Sequence, residues 1–382
     1  MIKLLTIVGA RPQFIKASAI SRVIHQNFSD KIQEIILHTG QHYDDNMSSV
    51  FFREMEIPEP AYNLEVGSGK HGKQTAEMMA GIESILLKET PHVVLVYGDT
   101  NSTLAGALAA SKMHIPLIHV EAGLRSFNKL MPEEINRIAT DHVSTLMFTP
   151  TKKGIENLIK EGFNMNNIPP YHIDNPGILY CGDIMYDNAL YFAKMAEEKS
   201  NLITGLKLKN ENYVLVTLHR DSNTDVPEHL NSIFRAIQRI CEKKDIKFVI
   251  PLHPRTRKKW SELPDDTLKN IINNNNLITI IPAVSYLDFI SLEKSSRLIM
   301  TDSGGVQKES YFFKKPCLIL REETEWVELL ELGTAQLCGA NEDKIVQSFN
   351  ELVGKKSMQF PEIYGDGNAG KFILKKILEH IK

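Results

Sequence analysis

Long hydrophobic runs are missing from this 382-residue chain. No window approaches the roughly 18 apolar residues that a spanning helix needs, so membrane insertion is not expected. Cysteine is scarce: Cys181, Cys241, Cys317 and Cys338 are scattered without CxxC spacing. That argues against a zinc site or a disulfide framework and leaves them as reduced, small hydrophobes. Excess positive charge is absent too, and a formal net charge of −3 gives no ground for a nucleic-acid partner or an anionic membrane surface. The start, MIKLLTIVGA, runs into RPQFIKA without a small-residue cleavage site, so no secretory signal is read and a cytoplasmic location is expected. The GxGxxG spacing of a dinucleotide fingerprint is missing after the first strand, which counts against a nicotinamide cofactor.

What is present is an alternating pattern. Short runs dense in Val, Ile and Leu (KLLTIVG, QEIILHTG, HVVLVYGD, PLIHVEAG, STLMFTP, then YVLVTLHR, FVIPLH, LITIIP, RLIMTDSGG, PCLILR) are separated by helix-like segments such as GKQTAEMMAGIESILLKE and PEHLNSIFRAIQRICEKK. Nearly continuous apolar runs suit strands buried on both faces of a parallel sheet. Repeated β-α units predict doubly wound α/β sheets. The length predicts two domains of about 150–200 residues. The stretch MNNIPPYHIDNPGILYCGD is rich in Pro and Asn and poor in periodicity, which places the break near residue 175. The tail YGDGNAGKFILKKILEHIK reads as a turn and one amphipathic helix that could pack on either half. A cleft between two such domains is the natural ligand site.

In open parallel sheets ligands bind beyond the carboxyl ends of the strands, and polar residues collect there. GARPQFIKA offers Gly9 for a tight turn with Arg11 and Lys16 near a helix start, which suits an anion or is simply a solvated first turn. His38 and His42 are four apart with glycine between them, which argues against a helical metal pair. Asp99 ends the strand HVVLVYGD and reads either as a helix N-cap or as a site carboxylate. Glu121 follows PLIHV with Ala122 and Gly123 leaving room above it, and Glu133 and Glu134 fall in a first helical turn, where one of them could serve the helix dipole alone. Such acids suggest general acid/base work. In the second half His219 and Arg220 end a strand, His253, Arg255 and Arg257 follow another, and TDSGGVQKE sets glycines where backbone amides can approach an anion. Glu309 lies one to two turns into the following helix, at a reach for sugar hydroxyls. Phosphate and hydroxyl recognition together describe a nucleotide.

The ordered set GARPQFIKA, TGQH, GDTNSTLAGALAA, HVEAGLRS, PEEINR, HR, DSGGVQKE and YGDG, running from residue 9 to residue 367, resembles the non-hydrolysing UDP-N-acetylglucosamine 2-epimerases. The resemblance implies a GT-B fold of two Rossmann-like domains, residues 1–174 with 366–382 and residues 175–365, with the last helix crossing back to the first. It implies a UDP-sugar partner, a homodimer, and no nicotinamide or essential metal. The family eliminates UDP to leave a 2-acetamidoglucal, then adds UDP back after protonation on the other face. Position by position, Asp99, Glu121 and Glu133 match catalytic carboxylates and His219 a catalytic histidine. Arg11 and Lys16 match residues near the phosphates and the active site. Ser303, Gly304 and Gly305 match the diphosphate loop, Glu309 the ribose-binding glutamate, and Phe289 a position whose backbone contacts uracil. Two stretches depart from the usual pattern. Many bacterial members carry an Arg/Glu/Gln-bearing segment after GQH for an activating second substrate molecule, where this chain reads GQHYDDNM. Members acting on UDP-N-acetylglucosamine usually carry Arg-Pro in the late loop, where this chain has Trp326 and Val327 in REETEWVEL. That variant looks more like relatives acting on UDP-2,3-diacetamido-2,3-dideoxyglucuronic acid. A GT-B glycosyltransferase, a hydrolysing epimerase and a non-catalytic UDP-sugar sensor are the weaker alternatives.

Overall fold

The computed structural model describes residues 1–41, 56, 58–208, 212–355 and 357–381, with the side chain of Arg11 left out. His42 and the rest of GQHYDDNM after Gln41 lie outside the described residues. The chain divides into two compact units, Met1–Asn188 with Glu362–Lys382, and Ala189–Pro361.

The first unit is built on strands β1 (Ile2–Val8), β2 (Ile32–His38), β3 (Tyr62–Asn63), β4 (Val93–Tyr97), β5 (Leu117–Val120), β6 (Leu146–Thr149) and β7 (Gly177–Tyr180). They form one sheet in the order β3-β2-β1-β4-β5-β6-β7. The second contains β8 (Tyr213–Thr217), β9 (Lys247–Leu252), β10 (Ile278–Pro282), β11 (Leu298–Thr301), β12 (Cys317–Ile319) and β13 (Ala335–Leu337), ordered β10-β9-β8-β11-β12-β13. Every pairing is parallel. In each sheet the winding reverses once, between β1 and β4 and between β8 and β11, and at such a point adjacent loops diverge and leave room for a ligand.

The apolar runs explain the layers. Every residue of β4 and of β8 is buried, because helices cover both sheet faces. In the first unit Met78, Ile82 and Leu86 of the helix His71–Glu89 pack with Leu5, Ile7, Val94 and Val96. In the second, the helix Pro227–Lys243 buries Leu230, Ile233, Phe234 and Ile237, and Phe234 stacks on Trp260 at 3.9 Å. The ten apolar runs all form strands. The three additional strands, β3 (YN), β7 (GILY) and β13 (AQL), lack a run dense in Val, Ile and Leu. β7 grows out of the Pro- and Asn-rich stretch and pairs with β6 from Gly177 to Tyr180.

The tail belongs to the first unit. Its helix, Ala369–His380, buries Ile373, Leu374 and Ile377 and sets Phe372 edge-on to Phe148 at 6.4 Å. The attachment is also polar: the buried Asp187 carboxylate accepts from the amides of Ala369 and Gly370 at 3.0 and 2.8 Å, where the helix dipole favours a negative charge.

Burial nonetheless pushes the Asp187 carboxyl up to about 6, against the pull of those two amides. A folded-state value above the unfolded one means that its contribution is fully present below the ordinary carboxylate range and is lost as pH rises through about 6. Asp187→Asn does not titrate. The stability of wild type minus variant should therefore fall by up to about 1.4 kcal/mol per pH unit between about pH 4 and pH 6. Thermal unfolding of both proteins at stepped pH measures this; a difference that grows with pH refutes it.

Candidate active site

In the first unit the site is assembled at the carboxyl ends of β1, β4 and β5. Glu121 directly follows β5 and adopts φ 75°, a left-handed conformation uncommon for a residue with a side chain. The turn is held because the amides of Glu121 and Ala122 both donate to Phe148 O at 3.0 Å. Lys16, on the helix Arg11–Val23, forms an ion pair with Glu121 Oε2, and both side chains are about nine-tenths buried. Gly98 lies against this pair: a Cβ there would stand 3.0 Å from Lys16 Nζ and 3.2 Å from Glu121 Oε2, on a backbone with φ 63°. Any side chain at Gly98 would crowd the ion pair.

Asp99 is not the helix cap. Thr100 takes that role, its hydroxyl accepting from Thr103 N at 3.3 Å. The Asp99 carboxylate instead pairs with Arg137 at 2.6 Å. Arg137 also meets Glu134 at 2.8 Å, and this separates the two adjacent glutamates. Glu134 is buried and accepts from the amides of Ser126 and Phe127, each at 2.9 Å. Burial works to raise its carboxyl, but those amides and Arg137 outweigh it and hold it low. Glu134 is thus the brace of its loop. Glu133 is exposed and makes no hydrogen bond or ion pair among the described residues.

Beneath these loops lies a charge cluster that the sequence did not reveal. His119, Asp141 and Arg125 are buried, with Nδ1 of His119 2.7 Å from Asp141 Oδ1 and Nε2 2.8 Å from Gly98 O. Asp141 Oδ2 meets Arg125 at 2.7 Å and accepts from the Gly123 amide at 3.1 Å.

In the second unit the corresponding position, after β8 and β11, holds His219 and Ser303–Gly305. Asp302, fully buried, joins them: its carboxylate accepts from the amides of His219 and Arg220 at 3.1 Å and from Asn223 Nδ2 at 3.1 Å. His219 Nδ1 lies 3.2 Å from Asp302 Oδ1 while the ring is half exposed. Ser303 precedes the helix Gly304–Phe312, and its side chain makes no capping bond to that helix. A helix start of this kind suits an anion. Glu309 is nearly buried, with Tyr286 Oη 3.4 Å from Oε1. Glu293 sits behind it, fully buried, and burial and the Glu309 charge push its carboxyl well above the usual range. Phe289 is half-buried on the helix Tyr286–Ser295 and its amide donates to Ser285 O at 2.9 Å. Arg255 braces the surface through Asp221 and Asp225 at 2.5 and 2.6 Å, and Arg257 is exposed.

The late loop also has a structural part. Trp326 is buried, donates from Nε1 to Gly304 O at 3.0 Å, and carries Lys308 Nζ 4.2 Å from its ring centroid. Thr324 Oγ1 donates to Gln307 Oε1 at 2.5 Å. Glu325, paired with Arg321 at 3.0 Å, comes so close that a Cβ on Gly304 would stand 2.5 Å from its Oε1.

A family model described as UDP-N-acetylglucosamine 2-epimerase matches residues 26–378. A Methanococcus maripaludis protein named UDP-N-acetylglucosamine 2-epimerase homolog is 48% identical over 368 residues, covering 96% of this chain and 97% of its own. The UDP-2,3-diacetamido-2,3-dideoxy-D-glucuronate 2-epimerase of Pseudomonas aeruginosa is 47% identical, covering 97% of this chain and 98% of its own. The crystal structure of Methanocaldococcus jannaschii UDP-GlcNAc 2-epimerase in complex with UDP-GlcNAc and UDP is similar at TM-score 0.82 and 41% identity, covering 99% of this chain and all of that one.

Trp326 should act as a brace of the glycine loop. Trp326→Ala removes a buried ring and should cost about 3–5 kcal/mol. Trp326→Phe removes the bond to Gly304 O and should cost about 1 kcal/mol beyond its small loss of volume. Denaturant unfolding followed by circular dichroism tests both; an alanine variant within about 1 kcal/mol of wild type would sink the brace.

Proposed function

The chain belongs to the UDP-N-acetylglucosamine 2-epimerase family, and from that membership we propose an isomerase that inverts C2 of a UDP-2-acetamido sugar, with UDP-N-acetylglucosamine and UDP-N-acetylmannosamine as the default pair. The observation that carries the reading is the Lys16–Glu121 pair beside Asp99–Arg137 at the sheet's switch point. It places two carboxylates, each with its own cation, on neighbouring strand ends.

C2 has no adjacent carbonyl, so its proton is removed only together with loss of the group at C1. One carboxylate takes the C2 proton, the C–H electrons form the C1–C2 double bond, and the C1–O electrons leave on the β-phosphate of UDP. The second acid then protonates C2 on the opposite face and UDP adds back to C1. Glu121 and Asp99 supply these proton transfers, with Glu133 and His219 completing the catalytic set. Arg11 adds positive charge near the phosphates. Ser303, Gly304 and Gly305 hold the diphosphate at the helix start, Glu309 the ribose, and Phe289 the uracil by its backbone. The first unit is then the acid–base domain and the second the UDP-binding domain. The same reading includes a homodimer acting in the cytoplasm.

A second substrate reading has its own support. Trp326 and Val327 stand where Arg-Pro is usual, and the relative acting on the diacetamido uronic acid covers the chain at 47% identity. Both UDP-sugars should be incubated with the protein in deuterated water and the products resolved by NMR. The true substrate emerges as its 2-epimer with deuterium at C2. Epimer without label defeats the mechanism, and transfer to an acceptor without epimer favours a glycosyltransferase. Glu121→Gln and Asp99→Asn should each lower kcat by about 10²-fold or more while UDP still binds. Glu309→Ala should chiefly weaken UDP binding. Near-normal kcat in Glu121→Gln would overturn the assignment of the acids.

A further inference from the structure

Asp99 and Glu121 stand on two different strand-end loops, and one buried histidine is bonded directly to the first and, through Asp141, to the second. His119 is the third residue of β5 and has no exposed surface. Its Nε2 lies 2.8 Å from Gly98 O, the carbonyl next to Asp99. Its Nδ1 lies 2.7 Å from Asp141 Oδ1, and Asp141 Oδ2 accepts the amide of Gly123, two residues past Glu121. The His119–Asp141 pair therefore spans from the β4 loop to the β5 loop beneath both acids.

The partners dictate the state of the ring. A carbonyl oxygen only accepts, so Nε2 must carry a proton. Asp141 receives Arg125 at 2.7 Å as well as the Gly123 amide, and such bonds favour the ionised carboxylate. Burial alone would raise that carboxyl, yet His119 and Arg125 hold it below the usual range. Nδ1 facing a carboxylate must then carry a proton too. Charge balance agrees: Arg125 is bound by both oxygens of Glu161 at 2.7 Å, so two cations meet two anions. With a neutral ring, Asp141 and the partly exposed Glu161 would share the one charge of Arg125.

We propose that His119, held as an imidazolium by Asp141, is a positioning residue that fixes the Gly98–Asp99 turn against the Glu121–Gly123 turn, and so sets the spacing of the two acids for proton transfer at C2. The catalytic consequence rests on the epimerase reading; the protonation state of the ring does not. A small shift of either turn would spoil the alignment that the proton transfers need. The nucleotide grip draws on other residues, so loss of His119 should fall on kcat and spare KM.

His119→Phe should lower kcat, counted per UDP-binding molecule, by about 10²-fold with KM changed by less than about threefold. His119→Gln keeps a donor toward Gly98 O and should recover about tenfold of that loss, the worth of one hydrogen bond. A purely structural role would lower the melting temperature and the fraction of UDP-binding molecules, with no loss in the kcat of those that remain and no rescue. Long-range proton–nitrogen correlation spectra of wild type labelled with 15N-histidine should show both ring nitrogens of His119 protonated at neutral pH. A single protonated nitrogen, or kcat of His119→Phe within about threefold of wild type, overturns the proposal. Should the variants fail to fold, the wild-type ring decides alone. Should wild type not epimerise any UDP-sugar, the function reading falls while the ring measurement still decides the state of His119.

Discussion

Loops at the ends of a parallel sheet have amide protons that no neighbouring strand can accept, and a site built there keeps its geometry only if something else accepts them. In this protein several of the acceptors are buried carboxylates. Asp302 takes the amides of His219 and Arg220, Asp141 that of Gly123, Glu134 those of Ser126 and Phe127, and Asp187 those of Ala369 and Gly370. A carboxylate out of water is costly unless several donors meet it. Each of these is met by at least two, and three of them by a cationic or side-chain partner as well. Removing one would release a loop and leave its donors without an acceptor.

The acids of the chain therefore fall into two groups that residue type does not distinguish. The holders are buried and bonded to backbone. The proposed working acids, Glu121 and Asp99, pair instead with cations, Lys16 and Arg137. The adjacent pair Glu133 and Glu134 divides the same way, with Glu134 enclosed and Glu133 exposed. In TDSGG the aspartate holds the loop from below, while the serine and glycines begin the helix above it. The motif thus joins a structural anchor to the residues proposed for diphosphate.

The layering was legible because Val, Ile and Leu runs have few other uses, and ten of the strands follow from them. Strands β3, β7 and β13 were not, since YN, GILY and AQL carry no run dense in Val, Ile and Leu. At the site, Glu121 was legible as a carboxylate at a strand end, but its left-handed backbone was not, because it depends on Phe148 O from β6. His119 reads in sequence as one polar residue inside an apolar strand. Its partner Asp141 lies in a helix after an intervening loop, and no local spacing joins them. Trp326 read only as a departure from a substrate motif, whereas its indole N–H is spent on Gly304 O. What escaped the sequence in each case is a contact between distant segments.

The two units deal with crowded carboxylates in opposite ways, and the chemistry proposed for each explains the difference. Inversion requires two acids that end a turnover with their protonation exchanged, so neither should be permanently neutral. Like charges close together force one proton to stay. Separate cations, Lys16 for Glu121 and Arg137 for Asp99, relieve that pressure at both acids. Holding a ribose requires no proton transfer, only a fixed acceptor. There a second carboxyl, Glu293, lies behind Glu309 in full burial, and burial and the Glu309 charge push its carboxyl well above the usual range. The upward shift falls on the buried partner, which favours a negative charge on Glu309, the residue proposed to accept the ribose hydroxyls. Where protons must move, the charge is met by cations; where they must not, a neutral acid stands in for one.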